Sequence, residues 1–172
     1  MMEMATGPRP KVPFRRRREG RTDYRHRIAL LKGGRVRAVV RKSNRSTRVQ
    51  FIGYTEKGDV VVASAVSTDL AEFGWTGSGK STPGAYLTGL LAGKRAKEKG
   101  IEEAVLDIGL REPTKGATVF AALKGIVDAG IEVPHSEKML PSKDRISGKH
   151  MREGTTASFE GVKGKIGGAV NG

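Results

Sequence analysis

The stretch GWTGSGKST (residues 74–82) matches the phosphate-binding loop pattern G-x-x-x-x-G-K-[ST]. In such a loop the backbone N–H groups cradle phosphate oxygens, the lysine reaches the outer phosphates and the hydroxyl binds magnesium. This chemistry requires a strand that runs directly into the loop and a helix whose first turn contains the lysine and the hydroxyl residue. The match raises the hypothesis of a small nucleotide-hydrolysing enzyme.

The residues on either side of the motif argue against that hypothesis. The nearest predicted strand ends near Val66, and the segment STDLAEF separates it from Gly74. Pro83 marks the start of the next helix, because proline suits the first helical position and is poorly tolerated deeper in a helix. Lys80 and Ser81 then precede the helix instead of lying in its first turn. We therefore expect no phosphate cradle here.

Residues 74–81 are expected instead to form a flexible loop whose Trp75 and Lys80 contact a partner. The run AVLD, which ends at Asp107, resembles the acidic strand that holds magnesium in nucleotide hydrolases, but short apolar runs of this kind are common.

The sequence has only weak patterns for catalysis or metal binding apart from this motif. The three histidines, His26, His135 and His150, are scattered, and the chain has no cysteine and no paired carboxylates at metal-ligand spacing. The sequence therefore predicts no catalytic residue, no metal site and no cofactor.

The distribution of charge is more informative than any of these motifs. The chain has 172 residues and a net charge of +14, and residues 1–48 hold 16 basic and 3 acidic side chains. A fold gains no stability from such self-repulsion, so this distribution indicates a polyanionic partner, either nucleic acid or an anionic membrane surface. A solubilising tail is the simpler alternative. Because no signal peptide or membrane span is apparent, we expect a cytoplasmic protein without a membrane partner.

The N-terminal residues are predicted to form a basic extended arm. Residues 1–21 include three prolines and the run RRRR, with almost nothing that could fill a core, so this arm is expected to be disordered until it binds. A short helix follows, with Thr22 as its N-cap and with Tyr24, Ile28 and Leu31 on one stripe.

Three strand-like runs then predict an antiparallel meander at residues 35–43, 47–54 and 59–66. In the first run Arg35, Arg37 and Arg41 share one face, and apolar residues share the other. Such a sheet is expected to bury its apolar face under helices and to present its basic face to a polyanion.

The rest of the chain predicts alternating helices and strands. Helices are expected after Thr82 and around residues 115–130, and short buried strands at residues 102–110 and 131–133. Together these elements give an α/β fold with a mixed sheet of about five strands and a body at residues 22–151. Residues 152–172 are rich in glycine and are expected to be a flexible tail.

Several long blocks resemble one known family. GPRPKVPFRRRREGRTDYRHRIALLK, VVRKSN, FGWTGSGKSTPGAYLTGLLAGKRA, AVLDIGL, GATVFAALKGIVDAGIEVPHSE and LPSKDRISGKHM are similar to the archaeal and eukaryotic form of the large-subunit ribosomal protein numbered eighteen in the universal series. The resemblance spans residues 7–151 in unbroken order. The loop GSGKS departs from the family, which often has more Gly or Asn there, so the roles of Lys80 and Ser81 are not carried over.

The resemblance implies a structural component of the ribosome, with a core similar to the ribonuclease-H-like fold but without its catalytic carboxylates. It implies binding to 5S rRNA and attachment of that RNA to the large-subunit 23S-type rRNA at the central protuberance, beside a neighbouring 5S-binding ribosomal protein. The RNA contacts that it implies lie in the basic N-terminal segment and the first strands. In this chain those positions are Arg15, Arg16, Arg17, Arg18, Arg21, Tyr24, Arg25, Arg27, Arg41, Lys42, Ser43, Asn44 and Arg45.

With Arg35, Arg37, Trp75 and Lys80, these residues form the predicted RNA-binding set. The arginines are expected to neutralise phosphates, and Phe14, Tyr24 or Trp75 to stack on unpaired bases or to pack in the core. Two other functions stay open at this stage: the nucleotide-hydrolysing enzyme and a free-standing basic nucleic-acid-binding protein.

Overall fold

Four strands form one mixed sheet in the order β3–β2–β1–β4. The computed structural model describes residues 7–9, 11–152 and 154–168. Strands β1, β2 and β3 are antiparallel neighbours, and β4 pairs with β1 in parallel. The mixed sheet and its three-strand meander are confirmed, with one strand fewer than the five that we expected. The strands are β1 (Arg37–Lys42), β2 (Thr47–Thr55), β3 (Gly58–Val66) and β4 (Val105–Asp107).

The expected fifth strand, at residues 131–133, is reduced to a single bridge. Ala104 N donates to Glu132 O over 2.9 Å, and Glu132 N donates to Glu102 O over 2.8 Å. This bridge continues the sheet beyond β4, but it is too short to form a ladder. The prediction of a regular strand at residues 131–133 is therefore wrong, although one parallel bridge joins this segment to the chain just before β4.

The described residues form six α-helices and two short 3-10 turns (Asp69–Phe73 and Glu137–Met139) in addition to the sheet. Helices α3 and α4 pack against the inner face of the sheet, and α3 is buried on almost every side over its first three turns. Within the described ranges, no helix combines the length and the apolar character needed to cross a membrane. The helices are α1 (Arg15–Arg18), α2 (Tyr24–Lys32), α3 (Thr82–Lys97), α4 (Thr118–Asp128), α5 (Lys143–Ser147) and α6 (Thr155–Gly168).

Two glycines allow α3 and α4 to approach closely. A Cβ at Gly89 would collide with the backbone of Ala122, and a Cβ at Gly125 would collide with the backbone of Tyr86. The helices therefore touch through their main chains. Around this contact Leu87, Leu123 and Ile126 fill the core beneath the sheet.

Helix α6 corrects the prediction of a flexible tail. Phe159, Val162 and Ile166 are buried against the rest of the core, and the Phe159 ring lies 5.5 Å from that of Tyr86 between ring centres. The Tyr86 hydroxyl donates to Asp128 of α4 over 2.7 Å, so three helices meet at this point. Residues 155–168 are therefore packed, while residues 153 and 169–172 of the expected tail lie outside the described residues.

The N-terminal part of the chain lies on the outside of this body. One helical turn, α1, interrupts the segment that we expected to be extended, and none of its side chains is buried. Helix α2 begins after Asp23, whose Oδ1 accepts from the N–H groups of Arg25 and His26, so Asp23 is the N-cap and not Thr22. Residues 1–6 and 10 of the expected arm lie outside the described residues.

Strand β3 has only one neighbouring strand and is an edge of the sheet. Two of its carbonyl oxygens accept hydrogen bonds from side chains, one in the last turn of α3 and one just beyond that helix. Arg95 Nη1 donates to Ser64 O over 2.9 Å, and Lys99 Nζ donates to Val62 O. The basic end of α3 thus satisfies acceptors on this strand.

Candidate nucleic-acid interface

Five charged side chains of alternating sign join α2 to the sheet, and we call them the ion-pair ladder: Arg27, Asp59, Arg37, Asp107 and Arg41. Asp59 Oδ2 lies 2.8 Å from Arg27 Nη2 and 2.9 Å from Arg37 Nη2. Asp107 Oδ2 lies 3.2 Å from Arg37 Nη1, and Asp107 Oδ1 lies 2.9 Å from Arg41 Nη2. The ladder therefore crosses the outer face of the sheet from β3 through β1 to β4.

The carboxylates of the ladder are held in their charged form. Burial opposes ionisation of Asp107, but hydrogen bonds from Arg41, Gly109 N–H and Arg37 outweigh it, and the pKa of Asp107 is lowered from its ordinary value. At Asp59 burial likewise opposes ionisation, and the hydrogen bonds from Arg27 and Arg37 lower its pKa. Both carboxylates are therefore negative at neutral pH and keep their charge to a lower pH than an ordinary aspartate does.

Burial removes Arg37 from the predicted RNA-binding set. Its side chain is only 3% exposed, and both of its carboxylate partners lie inside the protein's own network. The side chains of Arg27 and Arg41 at the two ends of the ladder are 37% and 46% exposed. The basic face predicted for the first strand is thus largely neutralised, and Arg41 is the β1 arginine that still reaches the surface.

A cavity of about 440 Å³ opens between α1, α2 and the segment after β4, and we call it the α2 cleft. Arg16 and Arg21 line one side of the cleft, and Arg27, Arg41 and Arg111 line the others. Arg41 Nη1 donates to Asp107 O over 2.7 Å, which fixes the guanidinium at the floor. An anion of the size of a phosphate would meet several guanidinium groups here.

Gly109 shapes the floor of this cleft. Its φ is +68°, and a Cβ at this position would lie 3.0 Å from the guanidinium carbon of Arg41. Any larger residue would strain the backbone and displace Arg41.

Most of the other predicted contacts are exposed on the surface. Tyr24 and Lys42 are half-buried. Arg35 is exposed and lies 3.6 Å from Glu103. The other exposed members of the predicted set are Arg15, Arg16, Arg17, Arg18, Arg21, Arg25, Arg41, Ser43, Asn44, Arg45 and Lys80. We call Arg15–Arg18, Arg21, Arg25, Arg27 and Arg41 the N-terminal cationic surface.

The turn between β1 and β2 is held in shape by its own side chains. Ser43 Oγ accepts from Ser46 N–H over 3.0 Å, and Ser43 N–H donates to Ser46 O over 2.8 Å. This geometry leaves the side chains of Asn44 and Arg45 exposed.

Trp75 does not project toward a partner as predicted. Its side chain belongs to the core, with the residue only 7% exposed, and a Cβ at Gly77 would collide with its ring. The loop is also pinned at Gly79, whose carbonyl accepts from Thr47 Oγ1 over 3.1 Å. The packed loop thus contradicts the expectation of flexibility at these positions. Of the two predicted contacts in the loop, Lys80 is exposed as expected and Trp75 is not.

The structure confirms that residues 74–82 do not form a phosphate loop. Strand β3 ends at Val66, and the 3-10 turn Asp69–Phe73 lies between it and Gly74. Ser81 is the N-cap of α3: its Oγ accepts from Gly84 N–H over 3.2 Å, and Lys80 precedes the helix. Asp107, the candidate magnesium ligand, is paired with arginines in the ladder. Throughout ranges 7–9, 11–152 and 154–168, no three His, Asp or Glu side chains gather as metal ligands would.

Sequence reasoning missed Arg111, which lies four residues beyond β4. Its Nη2 donates to Lys42 O over 2.7 Å, so it joins the end of β1 and lines the α2 cleft. No periodic pattern relates Arg111 to the basic residues of the first strand. The parallel pairing of β4 with β1 brings it there.

Comparison with known proteins gives one consistent family. The family model described as ribosomal large subunit proteins 60S L5 and 50S L18 matches residues 8–101 and 96–136. A protein of Haloarcula marismortui is 55% identical over 150 residues, which are 87% of this chain and 80% of that protein. One from Korarchaeum cryptofilum is 56% identical over 148 residues (86% and 76%), and one from Natronomonas pharaonis is 55% identical over 150 residues (87% and 82%). All three are named large ribosomal subunit protein uL18.

Proposed function

The chain belongs to the family of large-subunit ribosomal proteins described as 60S L5 and 50S L18, and from that membership we propose that it binds 5S rRNA through its N-terminal cationic surface. It is a structural constituent of the large ribosomal subunit and not an enzyme.

One observation carries the proposal: the excess positive charge and the cationic cavity coincide in space. Residues 1–48 carry 16 of the 32 basic side chains and only 3 of the 18 acidic ones. The part of this segment that the structure describes lies along α1, α2 and β1, around the α2 cleft. A polyanion that lies against this side of the protein is attracted without being repelled by a matching number of carboxylates.

The N-terminal cationic surface has two parts, and they contribute to RNA binding in different ways. The arginines of α1, with Arg21 and Arg25, neutralise phosphates and release counterions, which supplies most of the affinity. Arg27 and Arg41 are held by the ladder and the cleft floor, so they present fixed donors instead of mobile charges. Fixed donors select an RNA by its shape, because only some backbone paths place phosphates opposite them.

The turn after β1 adds side chains to this surface that can contact sugars and bases as well as phosphates. Asn44 and Arg45 are exposed in a rigid turn, where they are placed to hydrogen-bond sugars or base edges. Tyr24 is half-buried in the first turn of α2, which leaves part of its ring free for stacking.

We extend the proposal to the particle. By holding 5S rRNA on one side, the protein attaches it to the 23S-type rRNA at the central protuberance, beside a neighbouring 5S-binding ribosomal protein. The family supports this arrangement, and the RNA-binding surface supplies its first contact.

The double variant Arg17→Glu/Arg25→Glu tests the proposal, because both residues are exposed and neither belongs to the ladder. We expect its affinity for 5S rRNA to fall by about 10- to 100-fold at 0.15 M salt, since two phosphate contacts become repulsive. Filter binding measures the loss. Lys57→Glu/Lys138→Glu has the same charge change at exposed sites outside the surface and is expected to stay within about threefold of the wild-type affinity.

A duplex DNA of the same length serves as the competitor. The proposal requires that the wild-type protein prefers 5S rRNA over this DNA. Equal affinity for both would favour a general nucleic-acid-binding protein, and an equal loss in the two double variants would show that no particular surface is used.

A further inference from the structure

The contact between α6 and the rest of the protein is small and imperfect. The buried side chains of α6 are Phe159, Val162 and Ile166, and the helix lies against α3, α5 and the 3-10 turn Asp69–Phe73. The Oγ of Ser158 is also buried and has no hydrogen-bond partner within the described part of the chain. A buried polar group without a partner opposes docking, because it has lost its hydrogen bonds to water.

Three hydrogen bonds from lysine side chains hold the C-terminal half of α6. Lys94 Nζ of α3 donates to Ile166 O over 2.7 Å and to Gly167 O over 3.0 Å. Lys165 Nζ donates to Phe73 O over 3.1 Å. Two of these three bonds lie in exposed positions, where water competes for the same donors and acceptors. They therefore fix the position of the helix without adding much to its stability.

Four of the 14 residues of α6 are glycine, and packing requires none of them. A Cβ would meet nothing within 4 Å at Gly161, Gly164, Gly167 or Gly168. The glycines at the contact between α3 and α4 are different, because a Cβ there would collide with a helix backbone. Each glycine in α6 lowers its helix propensity relative to alanine. The segment is therefore not expected to stay helical once its packing is lost.

Docking of α6 also brings positive charges together. Lys163 of α6 lines a cavity of about 410 Å³ with Lys124 of α4 and Lys143 of α5. The carboxylate in this lining, Asp128, already lies 2.9 Å from Lys124 Nζ and accepts from the Tyr86 hydroxyl. The Tyr86 ring, whose centre is 5.5 Å from Lys163 Nζ, offers that lysine a cation–π contact. The mutual repulsion of three ammonium groups nonetheless opposes docking.

We propose that α6 is a releasable strap that opens as one unit and loses its helical structure while the central body, β1–β4 with α3 and α4, stays folded. The packing of three side chains holds the strap, and the glycines, the unpaired hydroxyl and the lysine repulsion make it easier to open. Opening uncovers the ring of Tyr86, against which Phe159 lies. It leaves the ion-pair ladder and the α2 cleft intact, because none of their residues belongs to α6. The C-terminal part of the chain can therefore rearrange while the N-terminal cationic surface stays assembled.

Native-state hydrogen exchange of the full-length protein tests the proposal. We expect the amides of residues 159–168 to share one degree of protection, at least about 100-fold lower than that of the amides in α3 and α4. Because opening of the strap exposes little surface, its dependence on urea should have a slope below about one third of the slope for α3 and α4. Protection that declines gradually toward residue 168, with the amides near Phe159 as slow as those of α3, would indicate ordinary fraying of a chain end and would overturn the proposal.

The variant Ile126→Val separates opening of the strap from unfolding of the central body. Ile126 is buried in α4 where that helix meets α3, and loss of one methylene there should lower the protection of α3 and α4 about three- to tenfold. The protection of α6 should stay within about 1.5-fold of wild type, since the contacts of Ile126 are intact whether the strap is docked or released. An equal fall in α6 would show that this helix opens only when the whole protein unfolds.

The double variant Gly161→Ala/Gly164→Ala tests whether opening melts the helix. Alanine favours a helix and neither Cβ meets another atom within 4 Å, so the protection of α6 should rise about 5- to 25-fold. Gly7→Ala is the matched control, because a Cβ at this exposed position also meets nothing within 4 Å, and it should leave the protection of α6 within about 1.5-fold of wild type. Unchanged protection of α6 in the double variant would contradict the proposal.

Discussion

Arg37 carries its positive charge inside the protein, between Asp59 of β3 and Asp107 of β4. Burying a charge is costly, but Arg37 pairs with two carboxylates, and each carboxylate also pairs with a second, more exposed arginine. Because Arg27 belongs to α2 and Arg41 to the cleft floor, the buried part of the ladder positions the exposed part.

Replacing Asp107 with Asn should destabilise the protein by about 3 kcal/mol at neutral pH, because it leaves Arg37 with one partner fewer in a buried position. The pKa of Asp107 lies below its ordinary value of 3.8, so its stabilisation is present above that pH and is lost as the pH falls through the lower, folded-state pKa. The gap between wild type and Asp107→Asn should therefore narrow as the pH is lowered from 7 to about 3. Urea unfolding at a series of pH values measures it.

Asp144→Asn is the control for that comparison. Asp144 pairs with Lys149 at an exposed site, with 73% of its side chain accessible, and we expect no measurable change in stability at any pH. A constant gap between wild type and Asp107→Asn across the pH range would show that the carboxylate's charge does not stabilise the fold.

The sequence predicted which residue types would form the candidate surface, but not which of them would be buried. Arg37 and Arg41 have the same side chain and the same strand parity, yet one is inside and the other is half-exposed, because Asp59 and Asp107 come from distant parts of the chain. Trp75 illustrates the same limit, since its ring packs so closely on Gly77 that a Cβ there would collide with it. Burial of this kind is a property of the tertiary structure.

At the scale of elements, the contact between α3 and α4 depends on glycine. The backbones of Gly125 and Tyr86 are in contact, and nothing but a hydrogen fits between them. Main-chain contact of this kind leaves no room for repacking, because the obstructing atoms belong to a helix backbone and not to a flexible side chain.

Gly125→Ala should therefore lower the free energy of unfolding by about 1–3 kcal/mol, because the cost of overpacking exceeds the better helix propensity of alanine. Gly161→Ala in α6 is the matched control: a Cβ there meets nothing within 4 Å. The control should stabilise the protein by up to about 1 kcal/mol. Thermal or urea unfolding of the two variants measures both effects. A stabilised Gly125→Ala variant would contradict the close contact between the helices.

The element order was readable from the sequence, and the exceptions have physical causes. Helix α6 was missed although Phe159, Val162 and Ile166 recur at spacings of three and four, because its four glycines lower its intrinsic helix propensity. The burial of these three side chains against the core stabilises the helix despite its low intrinsic propensity. The strand expected at residues 131–133 shortens to one bridge, and a run of three residues carries too little signal to decide between these outcomes.

At the scale of the whole molecule, the strongly basic N-terminal arm is separate from the core that stabilises the fold. The described residues of the first 21 include none that is buried, so the arm contributes little to the core. It carries seven basic and two acidic side chains, and these have their effect only when an anion approaches.

Deleting residues 1–21 should therefore lower the slope of log affinity for 5S rRNA against log salt concentration by roughly 3–6, since each lost phosphate contact removes about 0.7–0.9 from the slope. The thermal stability should change little. Filter binding at several salt concentrations and thermal unfolding measure the two quantities. An unchanged slope would remove the arm from the interface and would leave only the cleft to bind RNA.

The hydrogen bonds from Arg95 and Lys99 to the carbonyls of strand β3 also protect the edge of the sheet in the protein without bound RNA. An open strand edge is a template on which the strand of another chain can pair, and such pairing leads to aggregation. To pair with β3, a strand of another chain would have to displace the side chains of Arg95 and Lys99 from the carbonyl oxygens that they occupy. It would also have to approach these two positive charges. The other edge, past β4, is already occupied by the bridge at Glu132. Both edges of the sheet are therefore poor templates for pairing with a second copy of the protein.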